Sequence, residues 1–182
     1  MTAPVPTGLP KVTLRHVGIF VTDIDKVVDF YTGVLGFSIS DRGPFRGEEI
    51  AFLTRDPDEH HEIVFLSGRP AGSFCTVNQI SFRADSLTDL RATYALVTEA
   101  GAAEIDPVDH GNALSVYFRD PEDNRIEVYL PTPWYVTQPN RTVLDFSLSD
   151  EEILAANEKK CRADPSFRPA ADWQAAFSKD AR

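Results

Sequence analysis

Ile24, Val27, Tyr31 and Val34 recur 63 positions later as Leu87, Leu90, Tyr94 and Val97. Four apolar matches in one register, on a stripe with the spacing of a helix face, mark a tandem duplication. The strand position held by His16 maps by the same offset onto Gln79. The period is longer than that of stacked solenoid repeats, so two modules are expected and not an array.

Each module reads as β-α-β-β-β. In the first, residues 12–22 are β-branched and strand-like, Asp23 is a helix cap, and Ile24, Val27, Val28, Tyr31 and Leu35 form the apolar face of a helix ended by Gly36. Short strands are expected near 37–42, 48–54 and 61–67. In the second, a strand over 77–84 leads to a helix capped by Ser86 and ended by Gly101, with strands near 103–107, 113–119 and 125–130. The expected fold is α+β: an arm (1–10), two tandem βαβββ modules (11–70 and 71–131) and a C-terminal helical extension (132–182). The modules are expected to form an open, partly closed barrel-like mixed sheet with the helices outside. In the extension, Ser149 and Glu152 make a capping box, and a second short helix is expected near 170–177.

At 182 residues the chain can bury most of its apolar surface without disulfides. Cys75 and Cys161 show no metal-type spacing and fit a reducing cytoplasm. A net charge of -10 argues against a nucleic-acid partner. No basic-then-apolar leader and no membrane-length apolar run is present, so a cytoplasmic protein without a membrane partner is expected.

The stretch YFRDPEDNRIEVY, residues 117–129, sets a carboxylate in an apolar strand directly after a tight turn. Period-two alternation turns Arg125, Glu127 and Tyr129 away from Ile126, Val128 and Leu130. If helices cover the outer faces, the polar strand positions line a trough. These are His16, His61, Gln79 with Ser81 and Arg83, Ser115 with Tyr117, and Glu127 with Tyr129. Taken singly, a strand histidine or glutamate is more often a satisfied core or rim group. Their convergence on one trough is the functional signal.

The segments RHVGIFVTDIDKVVDFYTGVLGF, HHEIVFLSG, VNQISF and YFRDPEDNRIEVY, in that order, resemble the vicinal oxygen chelate superfamily. The likeness covers residues 11–131 and is nearest to the catalytic half of type I extradiol ring-cleaving dioxygenases. It implies a metal held by His16, Gln79 and Glu127, with Fe(II) first and Mn, Zn or another divalent ion as alternatives. It also implies that His61, His110 and Tyr117 hold substrate hydroxyls and move protons, with His60 beside His61 and Tyr129 at the substrate. Trp134 and Tyr135 are expected to stack on an aromatic ligand or to enter a dimer interface.

Gln79 departs from the resembling pattern, which has histidine there. An amide oxygen is a weaker and harder ligand than imidazole, and His61 could instead complete a set with His16 and Glu127. The implied activity is O2-dependent cleavage of a small catechol-like diol in aromatic compound catabolism, by a homodimer or higher homo-oligomer. Gln79 leaves open a glyoxalase-like isomerase, lyase or hydrolase. The third reading is a binding module for an aromatic ligand, without catalysis.

Overall fold

The computed structural model describes residues 14–73 and 77–180, the last five by their backbone alone. The expected arm and Cys75 lie outside the described residues. The first module runs β1 (Val17–Phe20), α1 (Ile24–Gly33), β2 (Ser38–Phe45), β3 (Glu48–Thr54) and β4 (Ile63–Leu66). The second runs β5 (Ile80–Arg83), α2 (Leu87–Glu99), β6 (Ala103–Asp109), β7 (Ala113–Arg119) and β8 (Arg125–Pro131). Then come β9 (Trp134–Tyr135), β10 (Thr142–Val143), α3 (Asp150–Ala163), β11 (Arg168–Pro169) and α4 (Ala170–Asp180).

The duplication is realised rung by rung. In the first sheet, ordered β1-β4-β3-β2, β1 lies parallel to β4 with Val17 opposite Ile63 and Phe20 opposite Leu66. In the second, ordered β10-β6-β7-β8-β5, β5 lies parallel to β8 with Ile80 opposite Ile126 and Arg83 opposite Tyr129. Each partner in the second ladder stands 63 residues beyond its counterpart in the first. Both sheets are mixed and neither closes into a barrel. β10 extends the second sheet by pairing antiparallel with β6, so the C-terminal extension contributes a strand to that module.

The parallel strands are shorter than their sequence runs. Pairing begins at Val17, Ile63 and Ile80, which leaves His16, His60, His61 and Gln79 just outside the strands. Caps form where expected. Asp23 and Ser86 accept from the N–H groups of Lys26 and Asp89, and Ser149 with Glu152 closes a full capping box.

One apolar core spans both modules. α1 buries Ile24, Val27, Val28 and Tyr31, and the Tyr31 ring meets Phe65 of its own module and Phe82 of the other. Burial of each such side chain contributes about 1.5–3 kcal/mol.

Polar groups then fix the modules in register. The turn between β7 and β8 is built on Asp120, whose Oδ1 accepts from the N–H groups of Glu122 and Asn124. Glu122 Oε1 accepts from the Thr22 hydroxyl at 2.5 Å and the Asp23 N–H at 2.7 Å, and its Oε2 accepts from Arg69 at 2.7 Å. The turn of the second module is thereby bonded to the strand-helix junction of the first. Among the described residues no helix is long and apolar enough to cross a membrane.

Candidate functional site

Glu127 projects from the middle of β8, buried to 8% exposure. Its cross-strand partners are Tyr117 on β7 and Ser81 on β5. The carboxylate accepts four hydrogen bonds. Oε1 takes Tyr117 Oη at 2.6 Å and Ser115 Oγ at 2.9 Å, while Oε2 takes Ser81 Oγ at 2.6 Å and Gln79 Nε2 at 2.8 Å. That fills the acceptor positions of both oxygens. By the 63-residue correspondence Val64 stands in the first module where Glu127 stands here, flanked by Gly18 and Phe52. The carboxylate network therefore belongs to the second module alone.

Burial, and then the hydrogen bond to Glu127, push the Tyr117 phenol up to about 12, so it stays protonated as a donor. Its oxygen also lies 3.0 Å from His110 Nε2. His110 Nδ1 is 2.7 Å from the Asn140 carbonyl. A carbonyl only accepts, so Nδ1 carries a hydrogen and Nε2 faces the phenol. The phenol has one hydrogen, so it serves either Glu127 Oε1 or His110 Nε2 and can pass a proton between them.

The C-terminal extension sets the position of His110. Asp109 Oδ1 accepts from the Gly111 N–H at 2.6 Å, Asn157 Nδ2 at 2.9 Å and Lys160 Nζ at 2.6 Å, the last two from α3. The Gly111 carbonyl accepts from Thr132 and Asn157, and Gln138 donates to the His110 carbonyl. Gly111 has φ of +80°, and a Cβ there would lie 2.5 Å from Val136 Cγ2, so only glycine fits.

The first module contributes a histidine cluster. The rings of His16 and His61 are 4.4 Å apart, and His61 Nδ1 is 2.9 Å from His60 Nδ1. His60 Nε2 in turn meets Asp41 at 2.8 Å, and Phe52 packs edge-on against His61. Burial, followed by the neighbouring His16 and His60, holds His61 below the ordinary imidazole range. At neutral pH it is a neutral ring able to accept a proton.

The structure thus joins Gln79, Tyr117 and His110 to Glu127, and His16 to His60 and His61. Tyr129 shares the strand and face of Glu127. Trp134 and Tyr135 make their ring contacts within the C-terminal extension. Trp134 meets Phe167, and Tyr135 stacks on Trp173 at 5.2 Å. Sequence reasoning missed Asp41, Asp109, Asn140, Asn157 and Lys160. Only Asp109, two residues before Gly111, carried a local signal.

Among the described residues no group of three or more His, Cys, Asp or Glu could hold a metal ion, so a set of His16, His61 and Glu127 is not formed. The donors at Glu127 have other chemistry. The ends of Gln79 and Glu127 are 2.8 Å apart. That is about the separation of two adjacent oxygens on an octahedral ion with bonds of about 2.0–2.1 Å. Gln79 presents its NH2 side, and half a turn of the amide presents oxygen instead. Such a pair of oxygen donors fits a divalent cation, and a harder one than a two-imidazole face prefers, while His16 packs against His61.

Two adjoining βαβββ modules in this register match a known family model. The glyoxalase/bleomycin resistance protein/dioxygenase superfamily model covers residues 13–128. The chain belongs to this superfamily. Over 124 residues it is 30% identical to biphenyl-2,3-diol 1,2-dioxygenase 3 of Rhodococcus globerulus, covering 64% of this chain and 62% of that protein. Over 130 residues it is 26% identical to biphenyl-2,3-diol 1,2-dioxygenase 2 of the same organism, covering 68% and 64%. The chain therefore spans less than two thirds of the length of these relatives. A superfamily domain from Frankia sp. EAN1pec has a TM-score of 0.58 at 25% identity, covering 69% of this chain and all of that domain. A fosfomycin resistance protein from Listeria monocytogenes, solved with Mn(II) and dihydroxypropylphosphonic acid, shares the fold with a TM-score of 0.55 at 17% identity, covering 68% and 95%.

Proposed function

We propose that this chain is a metal-dependent enzyme of the superfamily that binds a small catechol-like diol and cleaves its ring with O2. The observation that carries the reading is the hydrogen-bonded path His110–Tyr117–Glu127, accompanied by a neutral His61 beside His16. The likeness to two biphenyl-diol dioxygenases supports it.

A divalent cation held by His16, Gln79 and Glu127 would acidify the bound diol and bring both reactants to one centre. His61, which burial and its histidine neighbours keep neutral, accepts a diol proton. The Tyr117 phenol, kept protonated by burial, donates to oxyanions that develop on the substrate, and His110 Nε2 exchanges protons with it. Gln79 favours a second reading, a non-oxygenase isomerase, lyase or hydrolase working on the same ion with a harder metal. Purification without chelators under anaerobic conditions, followed by metal analysis and oxygen uptake with a panel of catechols, separates the two. Diol-dependent oxygen consumption supports ring cleavage; metal-dependent turnover without oxygen supports the second reading. A protein that holds no divalent metal overturns both.

A further inference from the structure

The guanidinium of Arg125 lies over the Tyr117 ring, 4.2 Å from its centroid. It stands on β8 two residues before Glu127, on the same face, at about 6.5–7 Å along the strand. Among the described residues it has no ion-pair partner. Arg46, Arg55, Arg83 and Arg168 share that condition, but all four are exposed. Among the described arginines Arg125 alone is both half-buried and without an ion pair, in a chain with ten more acids than bases.

Tyr117, Arg119 and Arg125 line a cleft of about 440 Å³ together with Glu104 and Asp106. Both carboxylates there already have cationic partners, Glu104 in Arg119 of the same cleft at 2.7 Å and Asp106 in Arg141 at 2.5 Å. The uncommitted charge of the cleft is therefore the cation of Arg125. A half-buried guanidinium without a counter-ion forgoes the charge-assisted bonds that usually offset its desolvation, which a ligand anion would supply. Stacking on Tyr117 covers one face of the guanidinium and leaves its planar N–H edge able to grip a carboxylate in two parallel bonds.

We infer that Arg125 binds an anionic substituent, so that the preferred ligand is a small vicinal diol carrying a carboxylate on its ring or on a short side chain. This rests on the diol reading above, because the strand separation between Arg125 and Glu127 is that of two ends of one substituted ring. The carboxylate sits against Arg125 while the hydroxyls meet the donors and acceptors around Glu127.

Equilibrium titration followed by intrinsic fluorescence, with and without added Fe(II), tests this on the wild type, Arg125→Met and Arg125→Lys. The probes are catechol, dihydroxybenzoate, dihydroxyphenylpropionate and benzoate. A carboxylated diol is expected to bind the wild type at least about tenfold more tightly than catechol, the scale of one bidentate charge-assisted contact. Arg125→Met should reduce that advantage below about twofold and Arg125→Lys to an intermediate value, since lysine keeps charge without the planar fork. An equal advantage in all three proteins, or none in the wild type, overturns the inference and leaves the diol reading standing. Benzoate binding that depends on Arg125, with no binding of any diol, upholds the anion site and removes the diol. Binding of none of the four probes overturns both. If Arg125→Met fails to fold, the lysine variant carries the test, and an undiminished preference there counts against the inference.

Discussion

Tyr117 donates to Glu127 across 2.6 Å at the cross-strand position where the first module sets Phe52 against Val64. The fold thus accommodates phenylalanine at this kind of position, and Tyr117→Phe removes one donor without disturbing the ladder. Glu127 keeps three of its four hydrogen bonds, so the stability cost is about 1 kcal/mol. Turnover should fall about 100-fold or more, because the phenol is the link between His110 and the carboxylate. Steady-state kinetics beside a thermal melt check both halves. Retention of near-normal turnover would take Tyr117 out of the mechanism.

The Glu122 latch predicts a pH-dependent stability. Burial alone raises the Glu122 carboxyl, but Thr22, the Asp23 N–H and Arg69 outweigh it and hold the group below its usual range. A depressed folded-state pKa contributes stability above the unfolded value and loses it as pH falls through the folded one. Asp120 in the same turn has the opposite sign. Its carboxyl is raised, chiefly by burial, so its ionisation opposes folding as pH rises. Replacing Glu122 by Gln isolates the first effect and should cost on the order of 3 kcal/mol at neutral pH, as Arg69 loses its counter-ion. Urea unfolding from pH 7 down to about 3 should show the gap between wild type and variant closing below about pH 4. A gap that is constant with pH would mean that the Glu122 charge does not hold the modules.

How much of this was readable in the sequence depends on range. The 63-residue offset is a short-range pattern written twice, and it reappears as the matched ladders Val17–Ile63 and Ile80–Ile126. Glu127, Ser115, Tyr117 and Ser81 follow from period-two alternation once a trough is supposed. The strand ends were less legible, because pairing stops where the partner chain turns away. His61 and Gln79 therefore sit beyond the ladders. The contacts of Asn157 and Lys160 with Asp109 join positions about fifty residues apart with no periodicity between them. Trp134 and Tyr135 illustrate the same limit. Their aromatic character was evident, but Phe167 and Trp173 were not visible as their partners.

Those long-range contacts give the extension a role at the site. Lys160→Met removes the ammonium that bonds Asp109 Oδ1 and the Asp109 carbonyl, one residue from His110. A small shift of the turn would misalign His110 Nε2 with the phenol, and a misplacement of about 1 Å can cost on the order of 100-fold in rate. Lys160→Met should lower kcat about tenfold or more with little change in KM, while Lys160→Arg recovers part of the loss. A merely structural role would instead lower the melting point and leave the kcat of the remaining folded enzyme intact.

Gln79→His is the substitution that decides how far this site differs from a two-histidine face. Imidazole is the better donor for Fe(II), so the variant should bind that ion at least about tenfold more tightly by competition with a chromogenic chelator. The exchange also withdraws the amide donor from Glu127 Oε2, which keeps Ser81 as its remaining partner. Without metal the variant should therefore be slightly less stable than the wild type, by about 1 kcal/mol, and with Fe(II) more stable through binding linkage. The two melts should cross over as Fe(II) is added. If Gln79→His gains no affinity for Fe(II), position 79 is not a metal-facing position, and the donors around Glu127 serve hydrogen bonding alone.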